Sequence, residues 1–142
     1  LLISDNFNLD TLTLPMEMYA RADLLRMQRK FDEARTTLDS IATEFPGHAL
    51  EDEMLMMSAD MFLEQDLLDT AMILYREVVD LHFDDITGDD ALWMLADLSH
   101  NRLGDLNAAQ DLYEKLLFEF PGSLNAVEAR KRFRALRGDE IE

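Results

Sequence analysis

Residues 113–123 read Tyr-Glu-Lys-Leu-Leu-Phe-Glu-Phe-Pro-Gly-Ser, and the Phe-Pro-Gly within them also occurs 75 residues earlier, at Phe45-Pro46-Gly47. Half of that interval falls at Leu81-His82-Phe83, where the same turn would lack its proline. An interval near 37 residues is long enough for two helices joined by a turn. We therefore expect other residue types to recur at this interval along the chain.

Small and large residues do recur at spacings of 37 or 38. The small residues form two sets, Ala22, Ala59 and Ala96, and then Ala34, Ala71 and Ala109. A large residue follows each member of the second set by four positions: Leu38, Tyr75 and Tyr113. Small residues at a fixed period are typical of helix pairs that approach each other closely. The pattern therefore predicts three helical hairpins in the same phase.

These hairpins define an all-α fold with a simple order along the chain. Three helix-turn-helix repeats are predicted at about 15–46, 49–83 and 88–121. A capping helix at about 123–136 is expected to close the last repeat with one apolar face and meet water with the other. Residues 15–136 then form one predicted domain. Residues 1–14 are predicted to be a connector or the remnant of an earlier repeat, and residues 137–142 a tail.

The segment Tyr113–Ser123, followed by Glu128-Ala129-Arg130-Lys131-Arg132, resembles the end of bacterial tetratricopeptide-repeat (TPR) proteins of the cell envelope, of the BamD and YbgF type. The resemblance covers roughly residues 16–136. It implies a right-handed superhelix, a role in binding other proteins, and a periplasmic or envelope location in preference to a cytoplasmic one. In such repeats the first helix of each hairpin lines a concave groove.

The resemblance assigns nine residues to this groove. They are Tyr19, Met56 and Trp93, then Asp23, Asp60 and Asp97 four positions later, and finally Arg26, Leu63 and His100. A spacing of four places each large residue one turn from its aspartate on the same helix face. The predicted groove therefore carries an apolar ladder beside an acidic one. The alternative is that Tyr19 and Trp93 pack between neighbouring hairpins while the aspartates are merely solvated.

Charge narrows the class of partner. The formal net charge is −17, which repels nucleic acid and anionic membranes and favours a protein or peptide with basic and apolar contact residues. No apolar run is long enough to insert into a membrane. Five basic residues nevertheless cluster near the end of the chain: Arg130, Lys131, Arg132, Arg134 and Arg137. This basic terminal helix is a second candidate surface, although cations at a helix C-terminus are also favoured by the helix dipole.

Catalytic, metal and cofactor sites are not predicted. The chain has no cysteine, and its three histidines lie in different repeats without paired spacing for zinc. It contains neither a Gly-x-Ser-x-Gly segment nor a glycine-rich phosphate loop. The sequence thus favours a protein-binding scaffold that uses the groove. The alternative is a structural spacer, or the closing end of a longer array whose binding site lies upstream.

Overall fold

The structure is a computed structural model that describes residues 2–47, 49–81 and 86–138. Within these ranges it contains seven helices and no strand. The helices are α1 (Leu2–Met27), α2 (Phe31–Glu44), α3 (Glu51–Glu64), α4 (Leu68–Leu81), α5 (Ile86–Asn101), α6 (Leu106–Glu119) and α7 (Ala126–Arg137). They fall into two compact units, Leu1–Ala71 and Met72–Glu142. The prediction of an all-α helical-repeat fold is confirmed.

The first unit is built on α1, α2 and α3, each of which packs against the other two. Its core consists of Ala22, Ala34, Leu38, Ile41, Met54, Met57 and Met61. Ala22 and Ala34 are fully buried, one on each helix of the first hairpin. Their small methyl side chains let the backbones of the two helices approach closely. Both predicted contact residues of this hairpin therefore lie where the repeat pattern places them.

The second unit repeats this plan with α5, α6 and α7, in which α6 packs against both of the others. Ala96 on α5 and Ala109 on α6 are fully buried, as are Tyr113 and Leu116 on α6 and Ala129 on α7. Tyr113 and Leu116 stand 75 positions after Leu38 and Ile41, which are buried in the first unit. The two units thus bury equivalent positions of their second helices.

Each hairpin turns through one residue in the left-handed region: Arg29 (φ 62°), Asp66 (φ 62°) and Gly104 (φ 66°). In the first turn the amide of Lys30 donates to the carbonyl of Leu25 at 2.8 Å, the pattern of a Schellman cap. In the third turn the corresponding bond runs from Asp105 to Ser99, one residue further. This additional residue explains why Ala109 follows Ala71 by 38 positions, whereas Ala71 follows Ala34 by 37.

The third turn allows a direct test of its backbone conformation. Gly104→Ala should lower the free energy of unfolding by about 1–2 kcal/mol, because an L side chain is disfavoured at this φ. A Cβ built at Gly104 meets nothing within 4 Å, so the loss is conformational and not steric. Gly122→Ala is the matched control, since its Cβ also meets nothing and its φ is not left-handed. Equal melting of both variants in chemical denaturation would contradict this account.

Several predicted boundaries need correction. Helix α1 runs without interruption from Leu2 to Met27 and holds Pro15 inside it, so it includes most of the segment 1–14 that is predicted as a connector or the remnant of an earlier repeat. No Gly or Pro precedes Pro15 to stop the helix, and one proline costs about 3 kcal/mol without always ending a helix.

The capping helix begins at Ala126 and not at Ser123, since Ser123 accepts a hydrogen bond from the Asn125 amide at 2.9 Å in the preceding turn. The single domain over 15–136 stays a prediction beside the two compact units. The tail predicted at 137–142 lies outside the described residues from 139 onward.

Candidate functional site

The predicted groove residues of the third repeat surround one arginine of the terminal helix. Nη1 of Arg132 donates to Oδ1 of Asp97 at 2.6 Å, and its Nε donates to Oε2 of Glu128 at 3.0 Å. The guanidinium carbon lies 4.8 Å from the centre of the Trp93 ring, a cation–π distance. Arg132 therefore joins α7 to α5 through both charge and aromatic contact.

Tyr113 of α6 completes this cluster. Its hydroxyl accepts a hydrogen bond from Nη1 of Arg132 at 3.0 Å and lies 2.9 Å from Nδ1 of His100. The arginine donates to this oxygen, and the direction of the hydrogen bond between the hydroxyl and Nδ1 of His100 depends on the tautomer of the imidazole ring. The Trp93 and Tyr113 ring centres are 5.9 Å apart. Three helices are thus linked through one phenol. We call Trp93, Asp97, His100, Tyr113, Glu128 and Arg132 the arginine cluster.

Electrostatics favour the charged form of the arginine and the neutral form of the phenol. Burial by itself lowers the pKa of the Arg132 guanidinium, but hydrogen bonds to Tyr113, Asp97 and Glu128 outweigh it and leave the pKa raised. Burial raises the pKa of the Tyr113 phenol above its ordinary value, although the neighbouring arginine acts in the opposite direction. At neutral pH the cluster therefore holds a cation against a neutral phenol and two carboxylates.

In the first unit Arg26 pairs with Asp23, the aspartate that corresponds to Asp97. Nη2 of Arg26 donates to Oδ1 of Asp23 at 2.6 Å, and Nη1 contacts Oε1 of Glu64 at 3.2 Å. The hydrogen bond to Asp23, helped by Glu64, raises the pKa of this guanidinium against the effect of burial. These groups are a quarter or more exposed, so the pairs contribute little to stability. Their main effect is to orient side chains on α1 and α3.

Tyr19 lies between α1 and α3 in an acidic environment. Its hydroxyl donates to the main-chain carbonyl of Glu53 at 3.5 Å, and its ring packs against the core of the first unit. Burial raises the pKa of Tyr19, and the negative charges of Asp23, Glu53 and Asp60 raise it further. Arg26 is the cation that opposes them. Three carboxylates therefore act on this side chain from two helices.

The two units have different residues at one equivalent position of their third helices. The Phe-Pro-Gly turns align Met57 of α3 with Arg132 of α7, 75 positions apart. Met57 is buried in an apolar core, whereas Arg132 sits among polar partners. The exchange accompanies a change in side-chain volumes, since buried Tyr113 and Ala129 stand 75 positions after buried Leu38 and Met54. The arginine cluster is thus a polar version of the contact that closes the first unit.

Comparison with protein families agrees with this internal repetition. Residues 18–48 and 90–123 each match the family model of the tetratricopeptide repeat. Both segments are similar to tetratricopeptide repeats. They coincide with the first and third predicted hairpins, and each contains part of a first helix, the turn and the whole of a second helix. No curated protein matches the chain in sequence.

The nine groove residues of the TPR pattern fall into two groups. Tyr19, Asp23 and Arg26 on α1 and Met56, Asp60 and Leu63 on α3 belong to the first unit, and Trp93, Asp97 and His100 on α5 belong to the second. All nine are partly buried. The third-repeat group is engaged by Arg132. In the first unit Tyr19 is packed, while Met56, Asp60 and Leu63 follow one face of α3 at spacings of four and three.

The basic terminal helix does not present all its cations to solvent. Arg130, Lys131 and Arg134 are exposed. Arg132 instead turns inward to the arginine cluster, and the guanidinium of Arg137 lies 5.0 Å from the Phe133 ring centre. The prediction of one basic surface therefore needs correction at Arg132. Its position three residues after buried Ala129 borders the apolar stripe of α7, a signal that singles it out from the other four.

Three residues that shape these sites were not predicted from the sequence. Glu128 is recognisable in retrospect because it stands four positions before Arg132, a spacing that pairs opposite charges on a helix. Glu53 and Glu64 carry no such signal, since each meets a residue of α1 more than thirty positions away. Among the described residues no group of three His, Asp or Glu side chains is arranged to hold a metal ion, and no described helix is long and apolar enough to cross a membrane.

Proposed function

We propose that this chain is a protein-binding scaffold and that the face formed by α1 and α3 in the first unit binds a segment carrying basic and apolar side chains. TPR repeats generally mediate protein–protein interaction. The observation that carries the finer proposal is the arginine cluster. Trp93 and Asp97 are the equivalents of Tyr19 and Asp23 two repeats later. Both contact the guanidinium of Arg132. The same residue types recur in the first unit.

The first unit has no arginine at the position equivalent to Arg132. Met57 replaces Arg132, so no internal arginine reaches Tyr19 from the equivalent position. Three carboxylates raise the pKa of Tyr19 and one arginine lowers it, so the local potential is negative. This potential attracts a cation and mainly accelerates encounter and excludes acidic competitors. A basic side chain of the partner would approach Asp60, which is partly exposed.

Apolar contact is supplied by the same face of α3. Met56 and Leu63 flank Asp60 and are partly exposed. Methionine adapts to irregular partners because its side chain is unbranched and polarizable, while a tyrosine buries a large area at low entropic cost. A segment that alternates a cation with aliphatic side chains fits this combination. A purely basic segment would lack the apolar contacts with this face, and a purely apolar segment would lack the charge contacts.

Peptide binding tests the proposal. A fluorescent peptide series in which Arg or Lys alternates with Leu is titrated against the chain, beside a series in which Glu replaces each cation. We expect binding of the basic series alone, and a loss of about tenfold or more in affinity for Asp60→Lys, on the order of 1.4 kcal/mol. Asp39→Lys on α2 is the matched control, since it makes the same charge change at an exposed position of the same unit.

Two outcomes would contradict this site. If Asp39→Lys weakens binding as much as Asp60→Lys does, the attraction reflects net charge and not the α1–α3 face. If Asp60→Lys leaves the affinity unchanged but binding is lost when Arg130, Lys131 and Arg134 are neutralised together, the basic terminal helix is the binding surface. Raising the salt concentration should slow association in the supported case, because the field of exposed charges then reaches only about 8 Å.

A second candidate function, the closing end of a longer array, rests on the arginine cluster itself. Trp93, Asp97 and His100 make their contacts within the second unit, and α7 presents an arginine at a position where a further helix would need a small residue. Arg134 aligns with buried Ala59 by the Phe-Pro-Gly turns. In this role Trp93→Ala would lower stability without changing affinity for the basic peptides.

We further propose that the chain works in the bacterial cell envelope. The support is the resemblance of Tyr113–Ser123 and the basic segment after it to envelope TPR proteins. Fractionation of cells that produce the full-length protein checks this. Recovery with periplasmic or envelope proteins is expected, and recovery only with cytoplasmic proteins would contradict it.

A further inference from the structure

The outward face of α7 carries three cations that have no acidic partner. Arg130, Lys131 and Arg134 are exposed, and within the part of the chain that the structure describes their side chains make no ion pair or hydrogen bond. Their spacings place them next to each other on the helix. The chain has 30 acidic residues against 13 basic ones, so three adjacent unpaired cations run against its composition.

Two apolar side chains extend this face toward the start of the helix. Leu124, in the turn before α7, is fully exposed, and Val127 is 74 % exposed. Val127 precedes Arg130 and Lys131 by three and four positions and so lies beside both on the helix surface. From Leu124 to Arg134 the surface is about 15 Å long at 1.5 Å per residue. We call Leu124, Val127, Arg130, Lys131 and Arg134 the α7 outer face.

The helix dipole accounts for only part of this charge. Its effect on cations is confined to the last turn of a helix, which in α7 contains Arg134 and Arg137. Arg130 and Lys131 are the fifth and sixth of twelve residues, in the middle of the helix. Solubility does not require them either, because a chain of net charge −17 is already far from neutral. The two central cations therefore indicate a contact with an anion.

The repeat alignment disfavours a closely packed helix as the ligand of this face. Arg134 occupies a position that is small in each of the three hairpins. Its equivalents there are Ala22, Ala59 and Ala96, which are fully buried. The long side chain of an arginine holds a helix backbone away, whereas an extended segment can lie along such side chains. About five extended residues span 15 Å, at 3.3 Å each.

We propose that the α7 outer face binds an extended acidic segment of another protein, about five residues long. An aliphatic side chain at one end covers Leu124 and Val127. Two or three carboxylates then reach Arg130, Lys131 and Arg134, since a guanidinium can donate two parallel hydrogen bonds to one carboxylate. Charge complementarity selects this partner. The site is separate from the proposed α1–α3 face, which takes a segment of opposite charge.

The net charge of the chain is compatible with a contact this small. Residues 126–137 contain five cations and one carboxylate, Glu128, which pairs with Arg132. The helix thus has a formal charge of +4, and the chain's −17 leaves −21 for the remainder. At physiological salt a charge acts over about 8 Å, so a short segment responds mainly to this helix. An anionic bilayer or a nucleic acid would also meet the acidic remainder and be repelled.

A peptide titration followed by nuclear magnetic resonance tests the location. The probe is Leu-Leu-Glu-Glu-Glu between flanking glycines, added to the isotope-labelled full chain at physiological ionic strength. We expect amide shift changes at residues 124–134 and none in the first unit. A peptide with Gln in place of each Glu should bind about tenfold or more weakly, and one with Ser in place of each Leu should also lose affinity.

Charge reversal measures the contribution of the cations. Lys131→Glu and Arg134→Glu should each lower the affinity for the acidic peptide by about tenfold or more. The helical circular dichroism should stay unchanged, because both side chains are exposed. Arg76→Glu is the matched control, since it makes the same charge change at an exposed position of α4 in the same unit. Its affinity should remain within about twofold of the parent.

Three results would overturn the proposal. Equal losses for Arg76→Glu and Lys131→Glu would mean that the peptide responds only to net charge. Failure of the acidic peptide to bind, or shift changes outside the α7 outer face, would exclude this face as its site. Sedimentation with phosphatidylglycerol vesicles that Lys131→Glu abolishes, without any peptide binding, would identify a bilayer and not a protein segment as the ligand.

Discussion

Replacing Tyr113 by Ala should lower the free energy of unfolding by about 3–5 kcal/mol. The ring is fully buried on α6 and contacts Trp93 and His100 at ring-centre distances of 5.9 and 5.7 Å. Truncation leaves a cavity at the point where three helices meet. It also removes the hydroxyl that accepts a hydrogen bond from Arg132. Denaturant unfolding followed by circular dichroism measures the loss.

Tyr113→Phe separates the ring from its hydroxyl. The ring contacts remain, but Arg132 and His100 each lose one hydrogen-bond partner, which costs about 1–2 kcal/mol. Leu38→Ala provides the comparison in the first unit, where the equivalent side chain is apolar and makes no hydrogen bond. If Tyr113→Phe is as stable as the parent, the hydroxyl is not an organising group of the arginine cluster.

Enlarging Ala96 to Leu should lower the free energy of unfolding by about 1–3 kcal/mol. Ala96 is fully buried on α5, at the position whose equivalents in the other repeats, Ala22 and Ala59, are also fully buried. Three additional carbons there force the helices of the hairpin apart. The midpoint of chemical denaturation, compared at equal slope, reports the change.

Ala135→Leu serves as the control for this substitution, because it adds the same atoms at an exposed position of α7. We expect its stability to remain within about 0.5 kcal/mol of the parent. If Ala96→Leu melts with the control, then the repeat alignment that pairs Ala22, Ala59 and Ala96 is wrong. Ala59→Leu tests the same alignment at an independent position.

The repeat architecture is predictable from the sequence because it depends on periodic backbone contacts. Fully buried Ala22, Ala59 and Ala96 occupy one structural position, and their spacing of 37 is visible without coordinates. The left-handed turn at Gly104 is similarly indicated by a glycine between two apolar runs. The equivalent turns at Arg29 and Asp66 have no such signal, since side chains stand where glycine is expected.

The arginine cluster is not predictable at the same level. Trp93 and Asp97 can be assigned to one face of α5 by their spacing of four, but which of five neighbouring cations reaches that face depends on the rotation of α7 about its axis. A rotation of one residue, 100° on a helix, would exchange Arg132 for Lys131. The contact of Tyr113 with His100 likewise requires the packing distance between two helices, which no spacing encodes. The start of α1 is not predictable either, because a proline such as Pro15 is more common in the first turn of a helix than inside it.

Charge coupling across the proposed α1–α3 face is the most direct test of the central claim that this face binds basic, apolar segments. A double-mutant cycle combines Asp60→Lys in the chain with Arg→Glu in the tightest-binding peptide, and isothermal titration gives the four affinities. We predict that the charge-reversed pair recovers affinity, with a coupling energy of about 0.5–3 kcal/mol. Additive losses, with no recovery in the double reversal, would mean that the partner's cation does not meet Asp60, and would contradict the account.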